Sequence, residues 1–290
     1  MKIVHLFNYR LNDIDVNKVK DQGFEAVQIS PVQPCKEGEE WWKLYQPFDF
    51  AIGNKLGSKE DLINLCSRAT KEGIKIITDV VLNHVAGKDS GEIEPHNRVN
   101  KKLLREGYLK DKRCISNWES RWEVTHNSIG LPTLNTYNYD IQLLTIDFLN
   151  ELIDCGVGGF RFDSAKNIAL PEEDCSYWIN VLDGLKNKNL FNYGEVINAS
   201  TELIEVYQKY INVLTNGYSW DREKLVVFPF SHDTDLEFGY TKNMSDIICT
   251  EEYGVLTELF PHTIFYARQY NMCWQNKEIK EINKRGKNGY

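Results

Sequence analysis

Four polar clusters stand where apolar runs end: Asp79 with Asn83 and His84, Arg161 with Asp163, Gly194 with Glu195, and His232 with Asp233. A single carboxylate after a strand more often caps a helix or pairs with a base than does chemistry. Four such clusters aimed at one end of a barrel are harder to dismiss. Two carboxyls can divide the work of breaking a glycosidic bond. One attacks or steadies an oxocarbenium-like centre, and the other, held protonated, gives its proton to the leaving oxygen. Asp163 and Glu195 fit those parts. Arg161 lies two residues before Asp163, so in a strand it shares the inward face and can hold the aspartate ionised by charge-assisted hydrogen bonds. The same two residues would serve equally as a buried pair that only stabilises. Glu195 needs a drier setting, rich in carboxylates, to keep its proton.

Two other chemistries fail. Ser231, His232 and Asp233 are adjacent, and neighbours on a strand point to opposite faces, so they cannot relay a proton as a triad. The 6 histidines are scattered without an H-E-x-x-H pair, which leaves no zinc-hydrolase pattern.

The elements that must position these residues alternate. Short runs rich in Val, Ile and Phe predict strands at 3–7, 26–30, 75–82, 159–163, 192–196, 211–214, 225–230 and 263–266. Between them lie helix-period segments, one presenting Leu62, Leu65, Cys66 and Ala69 on a single face, another Ile141, Leu144, Phe148 and Leu152. Eight strands with interleaved helices predict an α/β fold, a (β/α)8 TIM barrel whose chemistry sits on loops at the strands' C-terminal ends. Residues 85–137, polar and without a clear period, read as a small inserted domain, leaving 1–84 and 138–290 for the barrel. Residues 215–224 are too few for a proper sixth helix, since a parallel crossover takes about a dozen residues or more. A basic run at 276–287 predicts the last helix, so the barrel is expected to be a reduced one.

The chain has 290 residues, 42% of them hydrophobic, enough for one sizeable core. A net charge of −8 disfavours nucleic acid and anionic membrane, and no run approaches the roughly 20 apolar residues of a membrane span. The expected partner is a neutral or small substrate, with the protein a monomer. The 7 cysteines never fall in C-x-x-C spacing, and Met1 leads directly into a strand; both suit a reduced, cytoplasmic protein, with secretion left open should the natural chain start earlier.

The motifs Asp79-Val-Val-Leu-Asn83-His84, Gly159-Phe-Arg-Phe-Asp163-Ser-Ala-Lys166-Asn167, Tyr193-Gly-Glu195-Val and Ser231-His232-Asp233-Thr234 resemble, in order and spacing, those of the α-amylases of glycoside hydrolase family 13. The likeness extends to Trp41-Trp42-Lys-Leu-Tyr45-Gln46-Pro47 and to the stretch from Asn117 to Ser128, and so covers nearly the whole chain. The resemblance implies Asp163 as nucleophile, Glu195 as general acid and base, and Asp233 as a third carboxylate gripping sugar hydroxyls. It implies that His84, Arg161 and His232 surround the cleaved residue, and that Tyr45 stacks on the sugar with Trp41, Trp42 and Gln46 beside it. Lys166 would line the leaving-group side. The substrate class so implied is α-1,4-glucan: starch, glycogen or maltooligosaccharides.

Departures from the family pattern set further expectations. Asn167 replaces a histidine, and Thr133 stands where family members commonly place an aspartate that binds calcium. The remaining candidate ligands, Asn83 with oxygens of Thr125 and Asn167, include no acid, so weak calcium binding or none is expected and no cofactor is required. Asn83 serves equally well as a cap for the turn after the third strand. Ser231 replaces the asparagine of chloride-binding relatives. The short sixth connection and the expected lack of a C-terminal β domain keep open a reduced homologue that binds glucan with little turnover, and an α-glucan transglycosylase stays open because it would share this active site and differ in how water is excluded.

Overall fold

A computed structural model of the chain describes residues 1–88, 93–233, 242–267 and 273–285. Its strands are β1 (Lys2–Leu6), β2 (Ala26–Ile29), β3 (Lys75–Val80), β4 (Gly159–Phe162), β5 (Tyr193–Glu195), β6 (Asn212–Leu214), β7 (Leu225–Val226) and β8 (Thr263–Ala267). They pair in parallel in the order β7-β6-β5-β4-β3-β2-β1-β8. A parallel bridge between Val227 and Thr263 joins the two edges. The fold is the (β/α)8 barrel that the alternation predicts.

The helices are α1 (Val16–Asp21), α2 (Lys59–Lys71), α3 (Arg121–His126), α4 (Tyr139–Asp154), α5 (Tyr177–Asp183), α6 (Thr201–Tyr207), α7 (Lys242–Leu259) and α8 (Lys277–Arg285). Ser58 and Asp61 close a capping box at the start of α2, satisfying two of its otherwise unpaired amides. Its buried face is Leu62, Leu65, Cys66 and Ala69, as the periodicity predicts. On α4, which Asn138 caps, Ile141, Phe148 and Leu152 are buried and Leu144 is half-buried. Among the described residues no helix is long and apolar enough to cross a membrane.

Two features depart from plain strand-helix alternation. Residues 215–224 form one 3-10 turn, Arg222–Lys224, and β7 is shorter than its apolar run. Beyond Val227 the run reaches Pro229, which has no N–H to give a neighbouring strand. Within 85–137 the described residues carry α3, the 3-10 turn Lys101–Leu103 and isolated bridges such as Leu109↔Leu134 and Cys114↔Ser128.

The barrel interior follows the period of two. Ile3, Ala26, Ile77, Tyr193, Leu214, Val226 and Ile264 pack together inside the strands, a layer burying apolar area at about 25 cal/mol per Å2. Two residues further along β1, β2, β3 and β4 the inward positions become His5, Gln28, Asp79 and Arg161, all buried. The β3–β4 register sets Asp79 beside Arg161. The β4–β5 register pairs Arg161 with Tyr193 and Phe162 with Gly194, so the next step brings Asp163 alongside Glu195. Gly159 permits this closeness: a Cβ there would lie 2.1 Å from the carbonyl oxygen of Phe191, on the chain entering β5.

Candidate active site

Arg161, 2% exposed, ties the barrel mouth together. Its Nη1 donates to Asp79 Oδ1 at 2.9 Å and to Asp163 Oδ1 at 2.6 Å, and its Nη2 donates to Glu195 Oε1. One guanidinium thus faces three carboxyls from three adjacent strands, the fork geometry that suits arginine. Among the described residues, Arg161 is the cation these three carboxyls share. Arg161→Met is expected to cost about 3–5 kcal/mol, because it leaves buried carboxyls uncompensated. A thermal melt at pH 7 checks this, and a melting point within 2 °C of the native value, on the order of 1 kcal/mol or less, would count against it.

Glu195 is held from two sides. Its Oε2 accepts from the backbone N–H of Ser164 at 2.9 Å. Ser164 has φ 50° and ψ 34°, a left-handed conformation uncommon for serine. That turn, directly after Asp163, brings the amide to the glutamate. Burial pushes the Glu195 carboxyl up to about 8, with Asp163 and Asp233 adding to the rise, against the pull of Arg161 and the Ser164 amide. Asp79 is pushed up to about 7 by burial and by Asp163, against Arg161 and the Tyr45 hydroxyl. Asp233 is half exposed, with Oδ2 3.6 Å from His232 Nε2.

Aromatic rings form one wall. The imidazole of His232 lies between Phe7 (centroids 5.0 Å apart, planes at 7°) and Tyr45 (4.9 Å, 12°), with the ring of Trp41 5.1 Å away. The Tyr45 hydroxyl donates to Asp79 Oδ2 at 2.8 Å, and His84 Nε2 lies 2.8 Å from the Tyr45 carbonyl oxygen. Burial holds both His232 and His84 below the usual imidazole range, Arg161 adding to the effect at His232.

The other sequence-predicted residues fall at varying distances from this centre. The Gln46 side chain accepts from the Gly87 amide at 3.3 Å. Trp42 is 40% exposed, with the ammonium of Lys43 over its ring at 5.6 Å. Lys166 Nζ donates to the carbonyls of Ile197 (3.2 Å) and Asn198 (2.7 Å). With Trp118, Ser164, Asn167 and Glu195 it lines a cleft of about 500 Å3, a size that fits a small ligand. Of the candidate metal ligands, Asn83 is fully buried and neither polar atom of its amide has a partner among the described residues. Thr125 Oγ1 donates to the Arg121 carbonyl at 2.8 Å, and Asn167 Nδ2 to the Val124 carbonyl at 3.1 Å.

Three residues matter more than the sequence reading allowed. Asp79 appears there in a cluster without a role, yet it is the shared partner of Arg161 and Tyr45. His5 and Phe7 were read only as strand. They sit two apart in the predicted strand 3–7, His5 on β1 and Phe7 just past its end, and that spacing was the available signal; His5 touches both Phe7 and His232 edge-on.

The fold and the acidic side chains gathered around a buried arginine define a (β/α)8 barrel with a polar site at the C-terminal ends of its strands. The catalytic-domain profile of the α-amylase family matches residues 15–284, and the chain belongs to that family of glycosidases. An α-amylase of Clostridium acetobutylicum is 38% identical over 232 residues, 74% of this chain and 30% of that protein. An α-amylase-related protein of Drosophila auraria is 33% identical over 204 residues, 65% of this chain and 40% of that one. The chain therefore spans less than half the length of these relatives. Among solved structures, α-amylase I of Eisenia fetida superposes with a TM-score of 0.76 at 20% identity, covering 91% of this chain and 66% of that one. The α-amylase of Geobacillus thermoleovorans gives 0.77 at 18% identity, covering 99% and 78%.

Proposed function

We propose that this chain hydrolyses α-1,4-linked glucan with retention at the anomeric carbon, through a covalent glucosyl intermediate on Asp163. The observation that carries the reading is the reach of Arg161: its two terminal nitrogens touch Asp163 and Glu195 at once. Carboxyls within the span of one guanidinium suit the short separation of retaining enzymes, about 5–5.5 Å, rather than the wider gap that admits a water between acid and base.

In this reading Asp163 attacks the anomeric carbon. Glu195, its proton kept near neutral pH by burial and two neighbouring carboxylates, gives that proton to the departing oxygen and then deprotonates the incoming water. Asp233 grips hydroxyls of the distorted sugar. Trp41 and Tyr45 present an aromatic wall to the apolar face of a glucose, with His84, Arg161 and His232 around the same ring and Lys166 on the leaving-group side. A maltohexaose complex of the Eisenia fetida enzyme and an acarbose complex of the Geobacillus enzyme support glucan oligosaccharides as the substrate class.

Incubation with starch, followed by reducing ends and by the anomeric configuration of the first products, tests the reading. New reducing ends carrying the α anomer are expected. Binding without new reducing ends would replace the reading with that of a glucan-binding homologue, and α-linked oligomers longer than the donor would replace it with a transglycosylase.

A further inference from the structure

We propose that the loop following β4, which carries Ser164 to Ile168, is fastened to the 85–137 segment by the chain's own cations, Lys110 and Arg121, in the place that the family resemblance would give to calcium. Lys110 Nζ donates to the carbonyl of Asn167 at 3.3 Å. Arg121 Nη1 donates to the preceding carbonyl, that of Lys166, at 2.7 Å. Two consecutive carbonyl oxygens of one loop thus each meet a positive side chain from the same segment. Both cations are set by their own contacts. The Lys110 amide donates to the Thr133 carbonyl at 2.8 Å. The Arg121 guanidinium grips Glu173 with Nε at 2.9 Å and Nη2 at 2.8 Å. Tyr207 completes the arrangement, its hydroxyl lying 3.1, 3.2 and 2.7 Å from the carbonyl oxygens of Ala165, Lys166 and Ile168.

The residues present do not fit calcium. Calcium takes six to eight oxygens at about 2.3–2.6 Å, usually with carboxylates among them. Here the Asn167 carbonyl already accepts from an ammonium, and a dication placed against it would be repelled by that charge at close range. Thr133 offers a hydroxyl instead of a carboxylate, and it is engaged with the Leu131 carbonyl at 2.9 Å. The fastening matters to the site because this same loop presents the Ser164 amide to Glu195.

Calcium titration of the native protein, read as heat of binding and as melting temperature with calcium or with chelator, tests the proposal without reference to turnover. No binding heat and a melting point unchanged within about 1 °C are expected. Stoichiometric calcium binding, or a fall of about 5 °C or more on chelation, would overturn it. The double variant Lys110→Met with Thr133→Asp removes the resident cation and restores an acid. It is expected to gain a calcium-dependent rise in melting temperature of about 3 °C or more, the mass-action signature of binding to the folded state. A folded double variant indifferent to calcium would refute the exchange of ammonium for metal. Should it fail to fold, the native titration decides alone.

Discussion

Asp163→Asn is expected to reduce turnover of a chromogenic maltooligosaccharide on the order of 10⁴-fold or more, while the melting temperature stays within a few degrees of the native value. The size of the loss follows from chemistry: an amide cannot form the covalent glycosyl ester, and removing a nucleophile disables the groups that act with it as a unit. The mildness of the structural effect follows from the contacts. Asn keeps the volume of Asp and an oxygen that still accepts from Arg161 Nη1, and the hydrogen bonds from the guanidinium to Asp79 and Glu195 remain in place. Turnover close to native in a folded variant would remove Asp163 from the reaction and the retaining reading with it.

The barrel was legible because a period of two needs only local sequence. Every predicted strand is found, since β-branched runs buried on both faces read as continuous apolar segments. The limits of β7 were not, because an apolar run continues past the point where Pro229 ends pairing. The acidic residues were legible as types at strand ends, and the Arg161–Asp163 spacing correctly set both on one face. What the sequence could not give was partnership across strands. That Asp79 completes the Arg161 group depends on β3–β4 register, which no single strand encodes. The αL turn at Ser164 was equally hidden, because serine carries no signal for positive φ; surrounding contacts impose it, as at other functional turns. Lys110 reads as one more surface lysine until the loop after β4 is laid against it.

Glu195→Gln is the substitution that separates the chemistry of this carboxyl from its cost to the fold. Loss of the acid and base is expected to lower kcat by about 10²–10⁴-fold. It should also abolish the alkaline fall in kcat/KM, which in the native protein is centred near pH 8, where Glu195 gives up its proton. Stability moves the other way. Because the folded protein holds this carboxyl at about 8 and the unfolded chain near 4.5, the folded state binds more protons between those values. Native stability therefore declines as pH rises from about 4.5 to 8. Asp79, raised from 3.8 to about 7, titrates in an overlapping window and stays in the variant, so part of the decline persists. The expected result is two melting curves that lie close at pH 5 and diverge by several degrees at pH 8, the variant being the more stable. Parallel curves across that range would mean that Glu195 ionises in the folded protein as it does in the unfolded chain. Arg161 would then outweigh burial, and the proton for the leaving oxygen would have to come from another group.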